Sequence, residues 1–139
     1  MQARISVITL GVRDLAAALR FYRDSLGFPS AGIVGEEFEY CAVAFIELQA
    51  GLKLALWPQS SIAPDTGLAE TLMCPTQMTL GYNVCSPLEV DQLMAQAAQA
   101  GAKIIKPAQA TFYGGYAGYF QDLDGHVWEI VFNPGLEAD

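Results

Sequence analysis

The sequence predicts an α+β fold built from two consecutive βαβββ units. The chain has 139 residues, about the length of one domain, and its 53% hydrophobic and 16% charged residues allow a sizeable core. The chain also repeats itself. A strand ending at Val12 is matched by one ending at Val84, 72 positions later, and the helix-ending Gly27 is matched by Gly101, 74 positions later.

The repeat sets the expected domain organisation. Unit one should span about residues 4–57 and unit two about residues 77–134, with 58–76 as a long connection. A small sheet with one helix normally needs a partner to close its other face, so we expect a single domain over 1–139. The sequence leaves open whether the units pair within one chain or swap between two.

The elements of the first unit follow from its residue pattern. Apolar alternation predicts a strand over 5–12. Asp14 is placed to cap a helix over 15–26, which Gly27 should end. Three further strands should follow, at 32–34, 39–48 and 52–57.

The second unit shows the same order. A strand is predicted over 78–84, and Ser86 should cap a helix over 88–100. Pro87 suits the first helical position, and Glu89 is placed for a capping box. The three later strands should lie at 103–106, 116–121 and 126–132.

The net charge narrows the classes of binding partner, and the cysteines indicate the expected compartment. The formal net charge of −8 argues against nucleic acid and anionic membranes and leaves neutral or cationic small molecules as easier ligands. No apolar run reaches the ~18 residues of a membrane span. The three scattered cysteines are expected to be reduced thiols of a cytoplasmic protein, two of them buried: Cys41, Cys74 and Cys85.

Strand alternation separates uniformly apolar faces, which should meet the helices, from mixed faces. The mixed faces carry Lys53, Trp57, Thr79, Asn83 and Glu129. We expect these side chains to line a concave surface that binds a small molecule. The alternative is that this face packs against a partner subunit or is solvated.

The run from Asp122 to Glu129 indicates a tight acidic turn followed by a strand. A carboxylate among apolar neighbours is costly to bury unless something pairs with it or binds it. Glu129 is therefore a candidate catalytic acid or base, or a ligand anchor, and the alternative is an ion pair with Lys53. His126 is expected to fix the turn by bonding Asp122, Asp124 or a backbone carbonyl.

The stretch 112–120 alternates aromatic residues with glycines and lacks the Gly-Lys-Ser/Thr ending of a phosphate loop. Tyr113 and Tyr116 are expected to form one wall of a pocket for a flat ligand, with core packing of some of these rings as the alternative. Trp128 falls on the apolar face and should pack in the core. Trp57 should contact a ligand or a dimer partner.

Motifs in both halves resemble one known superfamily. The first half contributes Ile-Thr-Leu-Gly-Val-Arg-Asp-Leu at 8–15, and the second half ends in Asp-Gly-His-Val-Trp-Glu at 124–129. Over about residues 4–134 the chain resembles the vicinal oxygen chelate superfamily, which includes glyoxalase I, bleomycin-resistance proteins and extradiol dioxygenases, and it looks like a glyoxalase-related member. The resemblance implies paired βαβββ units whose curved mixed sheets surround a cleft, and commonly a homodimer.

The same resemblance bears on metal binding. Metal enzymes of the superfamily take one ligand from the first strand and one from the last strand of each unit. These positions fall here on Val7, Ala55, Thr79 and Glu129, of which only the carboxylate is a good ligand for zinc, iron or nickel. The single histidine cannot complete a two-histidine site. We therefore expect neither a metal nor another cofactor.

Two functions follow as expectations. The first is a metal-independent protein that binds a small aromatic or cationic compound in the cleft. The second is a small lyase, isomerase or dioxygenase-like enzyme that uses Glu129 as acid, base or metal ligand. A scaffold without a small-molecule role is a third possibility.

Overall fold

The structure is a computed structural model that describes residues 1–136. The chain divides into two compact units, Met1–Leu72 and a second that begins at Met73, so the division falls inside the predicted connection. Each unit holds one four-stranded mixed sheet with helices, which confirms the predicted α+β class and its βαβββ units. Within these 136 residues, no helix combines the length and apolar character needed to span a bilayer.

The first unit contains four strands in the order β1-β4-β3-β2, with β1 and β4 parallel and the other pairs antiparallel. Its helix begins as predicted, because the Asp14 carboxylate accepts a hydrogen bond from the Ala17 amide at 3.0 Å. The elements are β1 Val7–Val12, α1 Leu15–Leu19, β2 Ile33–Val34, β3 Val43–Glu47, β4 Lys53–Pro58 and α2 Gln59–Thr66.

The second unit has the matching order β5-β8-β7-β6, with β5 and β8 parallel. The Ser86 hydroxyl accepts from the Glu89 amide at 3.2 Å, and the Glu89 carboxylate accepts from the Cys85 amide at 3.3 Å, a variant of the expected capping box. The elements are β5 Thr79–Val84, α3 Pro87–Gln99, β6 Lys103–Ala110, β7 Tyr116–Gln121 and β8 Val127–Phe132.

Each sheet buries the apolar side chains of alternate strand positions. In the first unit these include Leu10, Leu54 and Leu56, all at most 1% exposed. In the second unit Trp128 is buried and stacks on Phe120 with ring centroids 6.2 Å apart, which confirms its predicted core position. Full burial of one leucine side chain stabilises the fold by about 1.5–3 kcal/mol.

The structure departs from the predicted elements at four places. The connection contains helix α2, and the helix predicted over 15–26 changes to π-type hydrogen bonding over Arg20–Ser25. Strand β3 begins at Val43 because residues 36–40 form turns, and β6 extends to Ala110. All three cysteines are exposed and outside any disulfide, so the expectation that two are buried was wrong. They lie in loops rather than on apolar strand faces.

Gly118 of β7 is packed beneath α3. A Cβ atom there would stand 2.8 Å from Met94 Cε and 3.0 Å from the Ala108 backbone nitrogen. Gly118→Ala should therefore destabilise the chain by about 1–3 kcal/mol in urea denaturation followed by circular dichroism. Gly81→Ala is the matched control, because a Cβ at Gly81 meets nothing within 4 Å. Equal stability of the two variants would contradict this packing.

Candidate functional site

The parallel strand pairs place the same residue position at the centre of each sheet. In the first unit Ala55 pairs with Thr9 of β1 and with Phe45 of β3. In the second unit Glu129 pairs with Gly81 of β5 and with Tyr119 of β7. Ala55 is thus the structural counterpart of Glu129, as the repeat predicts. We call the side of each sheet that displays these residues its open face.

The open face of the first unit holds a cavity of about 350 Å³. Three aromatic side chains, Tyr40, Phe45 and Trp57, form much of its wall, and the carboxylates of Glu39 and Asp65 also line it. None of the lining residues is basic. The full lining is Val7, Thr9, Glu39, Tyr40, Cys41, Val43, Phe45, Ala55, Trp57 and Asp65.

Helix α2 reaches this cavity because of a glycine. A Cβ atom at Gly11 would lie 3.0 Å from Gln59 Cγ and 3.4 Å from Ile62 Cδ1, so a larger residue would press against these α2 side chains, and glycine allows α2 to pack closely on β1. The last turn of α2 then brings Asp65 to the cavity. The sequence did not predict α2, and Asp65 was missed for that reason.

Two predicted site residues lie on this open face in different settings. The Trp57 indole lines the cavity, and its Nε1 donates a hydrogen bond to the Tyr40 carbonyl at 2.9 Å. Lys53 does not line the cavity. Its ammonium lies 3.3 Å from the Glu47 carboxylate and 5.6 Å from the centre of the Phe45 ring. Lys53 thus has an ion-pair partner within its own unit.

The second unit has its own cavity, also of about 350 Å³, on the open face. Glu129 and Tyr113, both predicted site residues, line it together. Tyr119 lies between strands β8 and β6 and was not predicted as a site residue. The full lining is Lys106, Gln109, Ala110, Thr111, Phe112, Tyr113, Ala117, Tyr119 and Glu129.

Tyr119 lies directly opposite Glu129 in the pairing of β7 with β8, and both residues line the cavity. The pKa of Tyr119 is raised, first because burial disfavours the phenolate, and then because of the negative charge of the neighbouring Glu129 carboxylate. The negative charge of ionised Tyr113 acts in the same direction. Tyr119 is therefore a proton donor held against a carboxylate in a cavity.

The acidic turn before β8 positions Glu129. The Asp122 carboxylate accepts from the amides of Asp124 at 2.9 Å and His126 at 2.8 Å, and its second oxygen lies 2.7 Å from His126 Nδ1. Both side chains of the Asp122–His126 pair are buried. The expected turn role of His126 is confirmed, and its ring is occupied by Asp122.

The other predicted residues lie outside the second cavity. Thr79 and Asn83 share the open face with Glu129 but are exposed on β5, the edge strand. Tyr116 lies on the opposite face, where its hydroxyl donates to Asp91 of α3 at 2.8 Å. Strand alternation accounts for this, because Tyr116 and Tyr119 are an odd number of positions apart.

The positions that bind metal in related enzymes do not form a donor set here. They hold Val7, Ala55, Thr79 and Glu129, and the two aliphatic side chains offer no ligand atom. Within residues 1–136, no three His, Cys, Asp or Glu side chains form a group that could hold a metal ion. The residues present do not fit a metal centre of the superfamily type.

Two signals in the sequence could have revealed the missed residues. Phe45 alternates with the buried Ala44 and Ile46, so β3 alone places it on the open face. The second signal is the pairing of β7 with β8, which places Tyr119 directly opposite Glu129. Lys106 carries no such signal, because its direction depends on an irregularity in β6.

The Tyr119–Glu129 contact predicts an alkaline titration. The folded-state pKa of Tyr119 lies above the ordinary value of about 10, so its stabilising contribution is complete below pH about 10 and is lost as the pH rises through the folded-state pKa. Glu129→Gln should lower the pKa of Tyr119 while leaving it raised by burial. Nuclear magnetic resonance with ¹³Cζ-labelled tyrosine measures this, with Tyr119→Phe assigning the signal.

Tyr116 is the internal control in that titration. Its pKa is raised by the hydrogen bond to Asp91 on the other face, so Glu129→Gln should leave it unchanged. A Tyr119 pKa that also stays unchanged would show that Glu129 does not contact it.

Comparisons with known proteins place the fold in a family. A family model of the Glyoxalase/Bleomycin resistance protein/Dioxygenase superfamily matches residues 4–130. A solved structure of a glyoxalase-related enzyme from Fulvimarina pelagi is 38% identical, with a TM-score of 0.82 over 96% of this chain and 90% of that one. A search of curated proteins finds no match.

Two more distant structures show the same fold. Lactoylglutathione lyase from Agrobacterium tumefaciens is 20% identical, with a TM-score of 0.68 over 99% of this chain and all 100% of that one. A fosfomycin resistance protein from Listeria monocytogenes is 23% identical, with a TM-score of 0.70 over 97% of each chain. The family match, the paired βαβββ units and the motifs together establish that this chain belongs to the Glyoxalase/Bleomycin resistance protein/Dioxygenase superfamily, whose fold is that of the vicinal oxygen chelate proteins.

Proposed function

We propose that the chain binds a small aromatic cation in the cavity of the first unit, without a metal. One observation carries this proposal: a cavity of about 350 Å³ whose wall combines three aromatic rings with two carboxylates and no basic side chain. Aromatic faces attract cations, and the carboxylates add direct electrostatic attraction. The volume is at the lower end of the usual range for small-molecule sites, about 300–1,000 Å³.

The net charge of the chain supports the same ligand class. At −8, the chain raises the local concentration of cations and disfavours anions. Trp57 lines the cavity, and its Nε1 is held by the Tyr40 carbonyl. The indole is therefore oriented before a ligand arrives, which reduces the entropy lost on binding.

N-methylquinolinium tests this proposal, with 2-methylquinoline as the neutral analogue of similar shape. The cation should shift the indole N–H signal of Trp57 in ¹⁵N–¹H spectra, and the buried Trp128 should not respond. The double variant Glu39→Gln and Asp65→Asn should weaken binding of the cation by about tenfold and leave the neutral analogue unchanged.

The double variant Glu36→Gln and Glu37→Gln is the charge-matched control, since both residues lie in the same loop as Glu39 without lining the cavity. The affinity should also survive dialysis against a chelator. Equal binding of cation and neutral analogue would contradict the cation preference, and a stoichiometric divalent ion that is required for binding would contradict metal independence.

A second candidate is an enzyme of the lyase or isomerase type that uses Glu129 as acid or base. The pairing of Tyr119 with Glu129 within one cavity favours it, since a carboxylate beside a proton donor can move a proton to and from a bound carbon acid. The similar structure from Fulvimarina pelagi is a glyoxalase-related enzyme, which agrees with this candidate.

Solvent deuterium exchange tests the second candidate. A panel of α-hydroxycarbonyl compounds in D₂O should incorporate deuterium at the carbon next to the carbonyl, and Glu129→Gln should slow this by at least about 100-fold. Asp91→Asn, on the opposite face, should exchange at the wild-type rate. Exchange that persists in Glu129→Gln would exclude Glu129 as the base.

A further inference from the structure

Strand β6 is irregular at the point where it borders the second cavity. Its pairing with β7 shifts register between Ile104 and Lys106 and again between Lys106 and Gln109. In a regular strand, residues three apart point to opposite faces. Here both Lys106 and Gln109 line the same cavity, so the two irregularities turn both side chains towards it.

The irregularities are tolerated because β6 is an edge strand. The sheet order β5-β8-β7-β6 leaves one side of β6 unpaired, and Pro107, which has no amide hydrogen, lies within the second register shift, between Lys106 and Gln109. Bulges of this kind are found next to functional sites, where they redirect a side chain. Their effect here is to bring a positive charge to a cavity that already contains a carboxylate.

The register places the charged groups in one row across the sheet. Lys106 pairs with Tyr119, Tyr119 with Glu129, and Glu129 with Gly81. The backbones of Lys106 and Glu129 are therefore two interstrand spacings apart, about 10 Å. On the far side of Glu129, a Cβ at Gly81 would meet nothing within 4 Å, so this end of the row is open to an incoming molecule.

The positive charge of Lys106 is available to a ligand. Arg23 and Lys53 lie against carboxylates, at 2.8 Å and 3.3 Å, whereas Lys106 forms no ion pair within residues 1–136. The Glu129 carboxylate lies opposite Tyr119 in the same cavity, and an ionised carboxylate has lone pairs for several hydrogen-bond donors. The row thus offers one cationic and one anionic contact, with a phenol between them.

We propose that this row, Lys106–Tyr119–Glu129, is a second binding site, for a zwitterion that carries an ammonium group and a carboxylate, as an amino acid does. The ammonium group binds Glu129 and the carboxylate binds Lys106. A ligand with one charge would leave the opposite protein charge uncompensated beside it. The rings of Phe112 and Tyr113, 5.3 Å apart, provide an apolar wall for an aromatic side chain.

This site has no lining residue in common with the one proposed in the first unit. It also differs in charge, with one carboxylate balanced by one lysine instead of two carboxylates alone. The two sites therefore select different ligands, and either can be tested without the other.

L-Phenylalanine is the probe, measured by titration calorimetry and by the chemical shift of the Tyr119 ring. Phenethylamine lacks its carboxylate, and 3-phenylpropionate lacks its ammonium group. L-Phenylalanine should bind at least about tenfold more tightly than either analogue, because each charge-assisted contact contributes separately.

Two variants assign the contacts. Lys106→Met should reduce the affinity for L-phenylalanine to that for phenethylamine, and Glu129→Gln should reduce it to that for 3-phenylpropionate. Lys103→Met is the matched control on the same strand, since Lys103 does not line the cavity, and it should bind as the wild type does. Circular dichroism confirms that each variant is folded.

Three results would overturn the proposal: no binding of L-phenylalanine, equal binding of the three probes, or an affinity that Lys106→Met leaves unchanged. Loss of affinity in the Glu39→Gln and Asp65→Asn variant would place the amino acid in the first cavity and overturn it as well. Failure of N-methylquinolinium to shift Trp57 concerns only the first site.

Discussion

The parallel pairing of the first and last strands of each unit is the constraint on which the rest of the structure depends. A parallel pair needs a crossover connection, and the helix in that connection covers one face of the sheet. Only the opposite face of the sheet is then left open to a ligand. In the second unit this pairing puts Glu129 beside Gly81, and in the first it puts Ala55 beside Thr9. The same geometry thus presents a carboxylate in one sheet and a methyl group in the other.

The two open faces share the same backbone pairing but carry different side chains. Phe45 and Tyr119 occupy corresponding positions, each paired across the sheet with the central residue of the last strand. Both units have an aromatic ring at this position. Tyr119 also has a hydroxyl group and lies opposite the Glu129 carboxylate, whereas Phe45 lies opposite the methyl group of Ala55. The neighbourhood of Phe45 instead acquires charge from outside the sheet, through Asp65 of α2. Equivalent backbones therefore carry cavities of different polarity.

Much of the fold follows from patterns that are local in the sequence. The repeat, the caps at Asp14 and Ser86, and the correspondence of Ala55 with Glu129 depend only on spacing and alternation, and the structure agrees with them. The missed site residues depend on longer-range geometry. Asp65 required knowledge of α2, whose sequence contains a proline, and Lys106 required two register shifts that alternation cannot indicate.

One hydrogen bond in the first unit joins the wall of the cavity to a neighbouring loop. The indole of Trp57 borders the cavity and also holds the Tyr40 carbonyl, in a loop where Tyr40 itself has a positive φ of 60°. A single neutral hydrogen bond contributes only about 0.5–1.5 kcal/mol, so it adds little to the free energy that holds this loop against the cavity. For a ligand bound as we propose, we therefore expect the residence time to depend mainly on its own contacts with the rings.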